Sequence, residues 1–330
     1  MKPKVKWGIL SAAGIAREQV IPALKRANNV EIVAIASRSG NDKETANMFN
    51  IENVYDNYQQ LLDDPEIDAV YIPLPNHLHK EWAIKAAEKK KHILCEKPAA
   101  LTAADVIEIK QACEENNVFF MEAFMYHFHP QHERVRELIR NDEIGEVKQF
   151  NGSFSFLMHN PEENIRMSND KGGGSLYDVG CYPIHAMRNI LGQEPESVRT
   201  EAVIDPKYNV EISSISHFKF ESGIIGVVDS NFAMTMRHEY EVIGTEGRIS
   251  VPYAFRPDIR ENEGLIIIES GGKIREERLT GDIYRSEVEH FSAAIQNQTE
   301  PAITFDNTYH NMLAIDACIK SIETEQRVRV

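Results

Sequence analysis

His92-Ile-Leu-Cys-Glu-Lys-Pro-Ala-Ala100 begins as an apolar run and ends in two opposite charges and a proline. The run 93–95 is long enough for a buried strand, and Glu96 and Lys97 follow where that strand should end. Ligands of an open parallel sheet bind outside the carboxyl ends of its strands. Lys97 is therefore a candidate for chemistry, and Pro98 restricts it to an extended backbone. On this stretch alone, a loop lysine paired with Glu96 is the simpler interpretation.

Length and composition limit the classes of protein that need to be considered. A chain of 330 residues with 42% hydrophobic and 26% charged residues predicts a globular protein of two domains. The net charge of −15, from 36 basic and 51 acidic residues, argues against a general affinity for nucleic acid or anionic membrane. It leaves room for an anionic cofactor, which needs only a local positive site.

The cysteines and the apolar segments predict a cytoplasmic location. The four cysteines are far apart and have no metal-ligand spacing: Cys95, Cys113, Cys181 and Cys318. Neither a signal peptide nor a stretch long enough to span a bilayer is visible. The histidines at 77, 79, 127, 129 and 132 lie on different predicted loops without ligand spacing, so no metal site is predicted.

The start of the chain has the pattern of a dinucleotide-binding unit. Residues 6–10 predict a strand and 15–27 a helix, joined by the small-residue turn 11–16. In such a turn glycines let the backbone approach a pyrophosphate at the helix N-terminus. Ser11 and Ala13 occupy positions where glycine is usual, so a plain strand–helix connection would look much the same.

The residues after the second predicted strand bear on the choice of cofactor. The strand 31–36 is followed by Ser37 and Arg38, at the distance where NAD-binding proteins usually carry an acidic residue for the ribose. An arginine suits the 2′-phosphate of NADP instead. We therefore expect NADP, with NAD as a possible second cofactor; the alternative is a solvated loop cation.

Strands and helices alternate through the rest of the first half, which predicts a doubly wound parallel sheet. The strand 69–72 ends in Pro73-Leu-Pro-Asn-His-Leu-His79, whose prolines should hold Asn76 and His77 at the sheet edge. Thr102 can cap a helix that runs through Asn116. The next strand, 118–121, leads into Glu122-Ala123.

The pattern changes in the second half, where most segments have strand periodicity. The predicted strands are 148–156, 197–204, 214–220, 224–230, 239–243, 248–251 and 265–269, with helices at 132–140, 286–296 and 307–323. The expected fold is therefore an N-terminal Rossmann doubly wound parallel sheet, 1–124, followed by an open-faced, mostly antiparallel sheet domain, 125–330.

The stretch 172–185 departs from the strand pattern. Its three consecutive glycines allow a close backbone approach. Asp178, Tyr182 and His185 share one face if the segment is helical, although Pro183 predicts a later start or a kink. In the structural alternative Ser175 caps the helix and the aromatic side chains pack on the sheet.

These motifs, in this order, resemble the glucose–fructose oxidoreductase/inositol dehydrogenase (Gfo/Idh/MocA) family over essentially the whole chain. The nearest branch is that of the dihydrodiol and NADP-dependent D-xylose dehydrogenases. The resemblance implies an active site between a Rossmann domain and an open sheet, with Lys97, Asp178 and Tyr182 as catalytic residues. The expected cofactor-binding residues are Ser11, Ala12, Ala13, Gly14, Ile15, Ser37, Arg38, Pro73, Leu74, Asn76, His77, Glu96 and Lys97. The expected substrate-binding residues are Lys97, Tyr126, His127, Asp178, Tyr182 and His185.

The implied activity is an NADP-dependent dehydrogenase acting on a sugar or cyclic polyol. Tyr182 would transfer the hydroxyl proton, Lys97 would favour its ionised form and Asp178 would orient the pair, although Lys97 and Tyr182 could exchange roles. His127 stands where relatives often have arginine, so the resemblance does not identify the substrate. Aldoses and inositols are both possible substrates. A non-catalytic nucleotide-binding regulator and an NAD-dependent glycoside hydrolase are the alternatives. A homodimer or homotetramer built through the second sheet is expected.

Overall fold

The computed structural model describes residues 2–37 and 40–330, in two compact units. The first unit contains the chain up to Met125 together with Tyr284–Tyr309, and the second contains Tyr126–Ile283 and His310–Val330. The sequence predicts 125–330 as one domain, whereas the segment Tyr284–Tyr309 belongs to the first compact unit.

The first unit is built on a six-stranded parallel sheet in the order β3-β2-β1-β4-β5-β6. Its strands are β1 Val5–Leu10, β2 Val30–Ala36, β3 Asn53–Tyr55, β4 Ala69–Ile72, β5 His92–Glu96 and β6 Phe120–Ala123. Its helices are α1 Ile21–Arg26, α2 Asp42–Phe49, α3 Tyr58–Asp63, α4 His79–Glu88 and α5 Ala103–Asn116. This strand order is that of the Rossmann dinucleotide-binding fold, so the predicted doubly wound sheet is confirmed.

Local sequence explains several boundaries of this unit. Thr102 caps α5 because its side-chain oxygen accepts the backbone N–H of Asp105 at 3.1 Å, as predicted. Gly8 keeps β1 close to α3, since a Cβ there would lie 2.7 Å from a methyl carbon of Leu61. The peptide bond between Lys97 and Pro98, just after β5, is cis.

The second unit contains a nine-stranded sheet in the order β14-β13-β12-β11-β7-β10-β9-β8-β15. Its strands are β7 Val147–Leu157, β8 Ser197–Asp205, β9 Val210–Lys219, β10 Ile225–Asn231, β11 Ala233–Gly244, β12 Gly247–Val251, β13 Glu263–Ser270, β14 Lys273–Thr280 and β15 Val328–Arg329. Only β7 and β10 pair in parallel among these described strands, so the mostly antiparallel sheet is confirmed.

Four further helices are α6 Pro130–Arg140, α7 Cys181–Leu191, α8 Ile283–Asn297 and α9 Phe305–Thr324. Helix α7 packs on one face of the nine-stranded sheet at two glycines. A Cβ at Gly152 would lie 2.8 Å from Pro183, and one at Gly226 would collide with Met187. Of the helices in the described residues, none is long and apolar enough to cross a membrane.

Candidate active site

The turn after β1 keeps a glycine-like backbone although serine and alanine replace two of the usual glycines. Ser11 has a φ of +123°, a conformation that non-glycine residues avoid at a cost of about 1–3 kcal/mol. Ala12 is buried, and its carbonyl oxygen accepts the side-chain amide of Asn41 at 3.1 Å. Residues 14 and 15 open the helix, which passes through a π-turn, Ala16–Val20, into α1. The degraded motif therefore folds as a tight turn.

The predicted 2′-phosphate residues lie at the end of β2. Ser37 is buried, and its hydroxyl donates to the side-chain oxygen of Asn41 at 3.1 Å. Arg38 lies outside the described residues, so its placement stays a prediction. Asn41, which the sequence did not single out, links Ser37 to the backbone of Ala12.

A buried histidine joins the segment after β4 to the segment after β5. The Nδ1 atom of His79 lies 2.8 Å from the carbonyl oxygen of Pro98, and its Nε2 atom lies 2.7 Å from that of Leu74. Burial lowers the pKa of His79 to about 4, although both carbonyls favour the charged ring. The neutral ring can donate to only one of the two carbonyls at a time. His79 thus connects two of the predicted cofactor-binding segments.

The residues on either side of Lys97 are held in place within the first unit. The Tyr71 hydroxyl donates to Glu96 Oε1 at 2.5 Å, and burial raises the pKa of Tyr71 well above its usual value. The Glu122 carboxylate accepts the backbone N–H of Ala99 at 2.9 Å and is fully buried. These contacts fix the position of the Lys97 backbone at the carboxyl end of β5.

Asp178 and Tyr182 lie on one continuous helical segment of the second unit. Asp178 belongs to the π-turn Leu176–Gly180, which runs directly into α7, the helix that carries Tyr182. Pro183 is the third residue of α7, so its missing N–H falls in the first turn of the α-helix, where proline is tolerated. Of the predicted later start or kink, the later start describes the α-helix, which begins at Cys181, and right-handed helical backbone joins it to the π-turn before it.

Asp178 forms an ion pair with an arginine that the sequence did not indicate. Arg166 Nε donates to Asp178 Oδ2 at 2.6 Å, and the Asp178 side chain is only 14% exposed. The charge of Asp178 raises the pKa of Arg166, against the effect of burial. The glycine triplet serves this pair, because a Cβ at Gly173 would lie 2.5 Å from the Arg166 carbonyl oxygen, which accepts the N–H of Gly174.

Tyr182 lies in an aromatic cluster and is 6% exposed. Its ring centre is 5.3 Å from that of Phe154 and 5.9 Å from that of Tyr126. The Tyr126 hydroxyl lies 2.6 Å from Nδ1 of the buried His185, and the rings of His127 and His185 are 5.7 Å apart. The structure therefore brings together four predicted substrate-binding residues of the second unit: Tyr126, His127, Tyr182 and His185.

The start of the helical segment that carries Asp178 and Tyr182 is capped by a carboxyl group that is distant in sequence. Glu211 Oε2 accepts the N–H of Leu176 at 2.8 Å, and the Ser175 hydroxyl donates to Oε1. Burial raises the pKa of Glu211 to about 7, although these hydrogen bonds oppose the shift. The side chain of Ser175 makes no cap hydrogen bond of its own, so the alternative in which Ser175 caps the helix is wrong.

Within the described residues, no group of three or more His, Cys, Asp or Glu side chains is arranged to hold a metal ion.

Two family models match the chain. The model described as oxidoreductase family, NAD-binding Rossmann fold, matches residues 5–124. The model described as GFO/IDH/MocA C-terminal domain matches residues 132–250.

Known proteins resemble the chain over most of its length. A D-xylose 1-dehydrogenase (NADP(+)) of Haloferax volcanii is 36% identical over 98% of this chain and 99% of that protein. A trans-1,2-dihydrobenzene-1,2-diol dehydrogenase of Xenopus tropicalis is 32% identical over 75% of each. The crystal structure of KijD10, a 3-ketoreductase from Actinomadura kijaniata in complex with NADP and TDP-benzene, superposes with a TM-score of 0.92 at 27% identity, covering 97% of this chain and 98% of that one. The chain therefore belongs to the Gfo/Idh/MocA family, in the branch of the xylose and dihydrodiol dehydrogenases, and is an NAD(P)-dependent oxidoreductase that acts on CH–OH groups.

Proposed function

We propose that the chain catalyses NADP-dependent hydride transfer at a hydroxyl-bearing carbon of a sugar or cyclic polyol. The observation that carries the proposal is the placement of Asp178 and Tyr182 on one helical segment, with an ion pair fixing the carboxylate. A carboxylate and a phenol at this spacing suit the orientation and deprotonation of an uncharged hydroxyl group. The activities for which the relatives are named support the same class of substrate.

The first unit fits the dinucleotide. The left-handed backbone at Ser11 lets the turn come close to a bound pyrophosphate, and the backbone N–H groups of Ser11, Ala12, Ala13, Gly14 and Ile15 would hold it. Ser37 and Arg38 would bind the 2′-phosphate of NADP. The nicotinamide half would lie against Pro73, Leu74, Asn76, His77, Glu96 and Lys97. When bound, the nicotinamide would supply the hydride acceptor for oxidation of the substrate carbon and the hydride donor for the reverse reduction.

Proton transfer is assigned to Tyr182. A tyrosine titrates near ~10 in water, so it needs a neighbouring positive charge to act as a base near neutral pH. Lys97 would supply that charge and donate a hydrogen bond to the substrate oxygen. In the alternative, Lys97 and Tyr182 exchange these roles. Asp178 would orient the hydroxyl group, and Tyr126, His127 and His185 would line the substrate site behind it.

The decisive experiment is a screen of aldoses and inositols with NADP⁺ and with NAD⁺, read from the absorbance of the reduced cofactor. We expect turnover of at least one compound, with higher kcat/KM for NADP⁺. The Lys97→Ala variant is measured beside the unsubstituted chain, since it should bind the cofactor but reduce it at least about a hundredfold more slowly. Binding of NADP⁺ without reduction by any compound in the screen would overturn the proposal.

A further inference from the structure

Arg166 differs from two other arginines that form ion pairs in the second unit, Arg134 and Arg188. The guanidinium of Arg134 uses three nitrogens on Glu137 and Glu277, and that of Arg188 uses three on Glu194 and Asn311. Arg166 instead bonds Asp178 through Nε alone. Within residues 2–37 and 40–330, neither of its two terminal nitrogens donates a hydrogen bond to a protein acceptor.

The local backbone is built to hold Arg166 in this position. The side-chain oxygen of Asn164 accepts the Arg166 N–H at 3.1 Å, and the Arg166 carbonyl accepts the N–H of Gly174 at 2.9 Å. Gly173 has no room for a side chain against the same carbonyl. The backbone N–H and the carbonyl group of Arg166 are thus both fixed, while 41% of its side-chain surface stays exposed. An arginine held so firmly with unused donors is suited to bind a ligand.

The electrostatic balance indicates which ligand. The positive charge of Arg166 is already paired with the negative charge of Asp178 at 2.6 Å, so the pair has little net attraction for a phosphate or carboxylate. What the pair presents is a donor and an acceptor side by side. An ionised carboxylate has about four acceptor positions, so Asp178 can serve Arg166 and a hydroxyl group together. Two neighbouring hydroxyl groups of a polyol match this arrangement, one as donor and one as acceptor.

We propose that Arg166 is a specificity-determining residue, whose terminal nitrogens donate to the hydroxyl oxygen on the carbon next to the reacting carbon. The preferred substrates are then vicinal diols. This inference rests on the proposed function, because it places the reacting hydroxyl at Tyr182, one helical turn after Asp178. Asp178 would accept a hydrogen bond from the same diol.

The test compares D-xylose with its 2-deoxy and 3-deoxy analogues in the unsubstituted chain and in Arg166→Met, using NADP⁺. The variant should lose about tenfold or more in kcat/KM for D-xylose, the effect of one hydrogen bond from a charged donor. For the deoxy sugar that lacks the hydroxyl group bonded by Arg166, kcat/KM of the variant should be close to that of the unsubstituted chain. Arg134→Met is the matched control, because it also removes an Nε–carboxylate pair, at 2.7 Å. It should leave kcat/KM for D-xylose, and its ratio to kcat/KM for each deoxy sugar, unchanged.

An equal loss on all three sugars would mean that Arg166 only positions Asp178, which overturns the inference and leaves the proposed function standing. Binding is measured in parallel as the rise in melting temperature that each sugar causes with NADP⁺ present. If the unsubstituted chain binds D-xylose in an Arg166-dependent way but turns over no polyol, the proposed function fails, and the inference that rests on it fails too. If D-xylose neither binds nor reacts, and no other polyol in the screen is turned over, both are overturned.

Discussion

At the scale of single residues, Lys97 is the position on which the proposed chemistry depends most. Its backbone is fixed by neighbours on both sides, through Glu96 to Tyr71 and through Ala99 to Glu122. Lys97→Ala should therefore remove the ammonium group without moving the strand end. We expect kcat to fall about a hundredfold or more, as for other groups that assist proton transfer, while the dissociation constant for NADP⁺ changes little.

Turnover kinetics and cofactor fluorescence titration check this prediction. Lys85→Ala is the control, because Lys85 lies on α4 and pairs with Glu81 in the same helix at 2.5 Å. Near-normal turnover of the true substrate by the Lys97 variant would contradict the assigned mechanism.

The proposed preference for NADP depends, at the same scale, on Arg38. One charge-assisted hydrogen bond to the 2′-phosphate is worth roughly 1.5–3 kcal/mol, or about tenfold or more in affinity. Arg38→Ala should therefore raise the Michaelis constant for NADP⁺ and barely change that for NAD⁺. Steady-state kinetics with each cofactor measure the two constants, with Lys25→Ala as a control on the preceding helix. Equal sensitivity of the two cofactors, or a preference of the unsubstituted chain for NAD⁺, would refute the assignment.

At the scale of an element, the helical segment that carries Asp178 and Tyr182 depends on Glu211 for its N-terminal cap. The pKa of this carboxyl is raised from 4.5 to about 7, so the folded protein holds its proton more tightly than the unfolded chain. The stability that the protonated group contributes is full below about pH 4.5 and is lost as the pH rises through about 7. The loss amounts to roughly 2–4 kcal/mol.

Glu211→Gln should remove this part of the pH dependence. Urea unfolding at pH 5 and pH 8 gives the free energies of unfolding, and the difference between the unsubstituted chain and Glu211→Gln isolates the group. Glu201→Gln, at an exposed position on β8, is the control. If Glu211→Gln loses as much stability between the two pH values as the unsubstituted chain, Glu211 is not the titrating group.

Local patterns predicted most of the elements, although not the strands β3, β14 and β15. Long-range pairing explains the contacts that they missed. Lys97 could be placed from its own strand, and Tyr182 from its spacing to Asp178. Arg166 could not be found, because a loop of three short turns brings it to Asp178 from twelve residues away. The cap by Glu211 arises from a strand 35 residues downstream of Leu176. Ser11 shows the opposite case, in which the backbone keeps a glycine conformation that its residue type does not predict.

At the scale of the whole molecule, α7 packs on only one of the two faces of the nine-stranded sheet. Gly226 on β10 contacts that helix, so its neighbour Ile225 points to the other face, as does Ile215 on the adjacent β9. Ile225 is 50% exposed and Ile215 is 48% exposed. Apolar side chains on an uncovered sheet face usually mark a contact with another chain.

We therefore predict a homodimer or homotetramer built through this face. Light scattering at micromolar concentration should give a multiple of the 37.5 kDa chain mass. The double variant Ile215→Asp, Ile225→Asp should lower that mass, because it would bury four charges per dimer without partners. Lys273→Asp, on the strand β14 at the sheet edge, is the control for added negative charge. A monomeric mass for the unsubstituted chain would contradict the prediction.

The return of Tyr284–Tyr309 to the first unit has a consequence for the newly made chain. The buried indole of Trp7 donates to the Ser292 hydroxyl at 3.1 Å and packs edge-on against Phe291, so its partners are synthesised almost three hundred residues later. The nucleotide-binding half cannot be completed when its own six strands have left the ribosome. It must wait, with part of its core open to water, until nearly the entire polypeptide has been translated. A gene cut after Met125 would encode every strand of the parallel sheet and still yield an unfinished core.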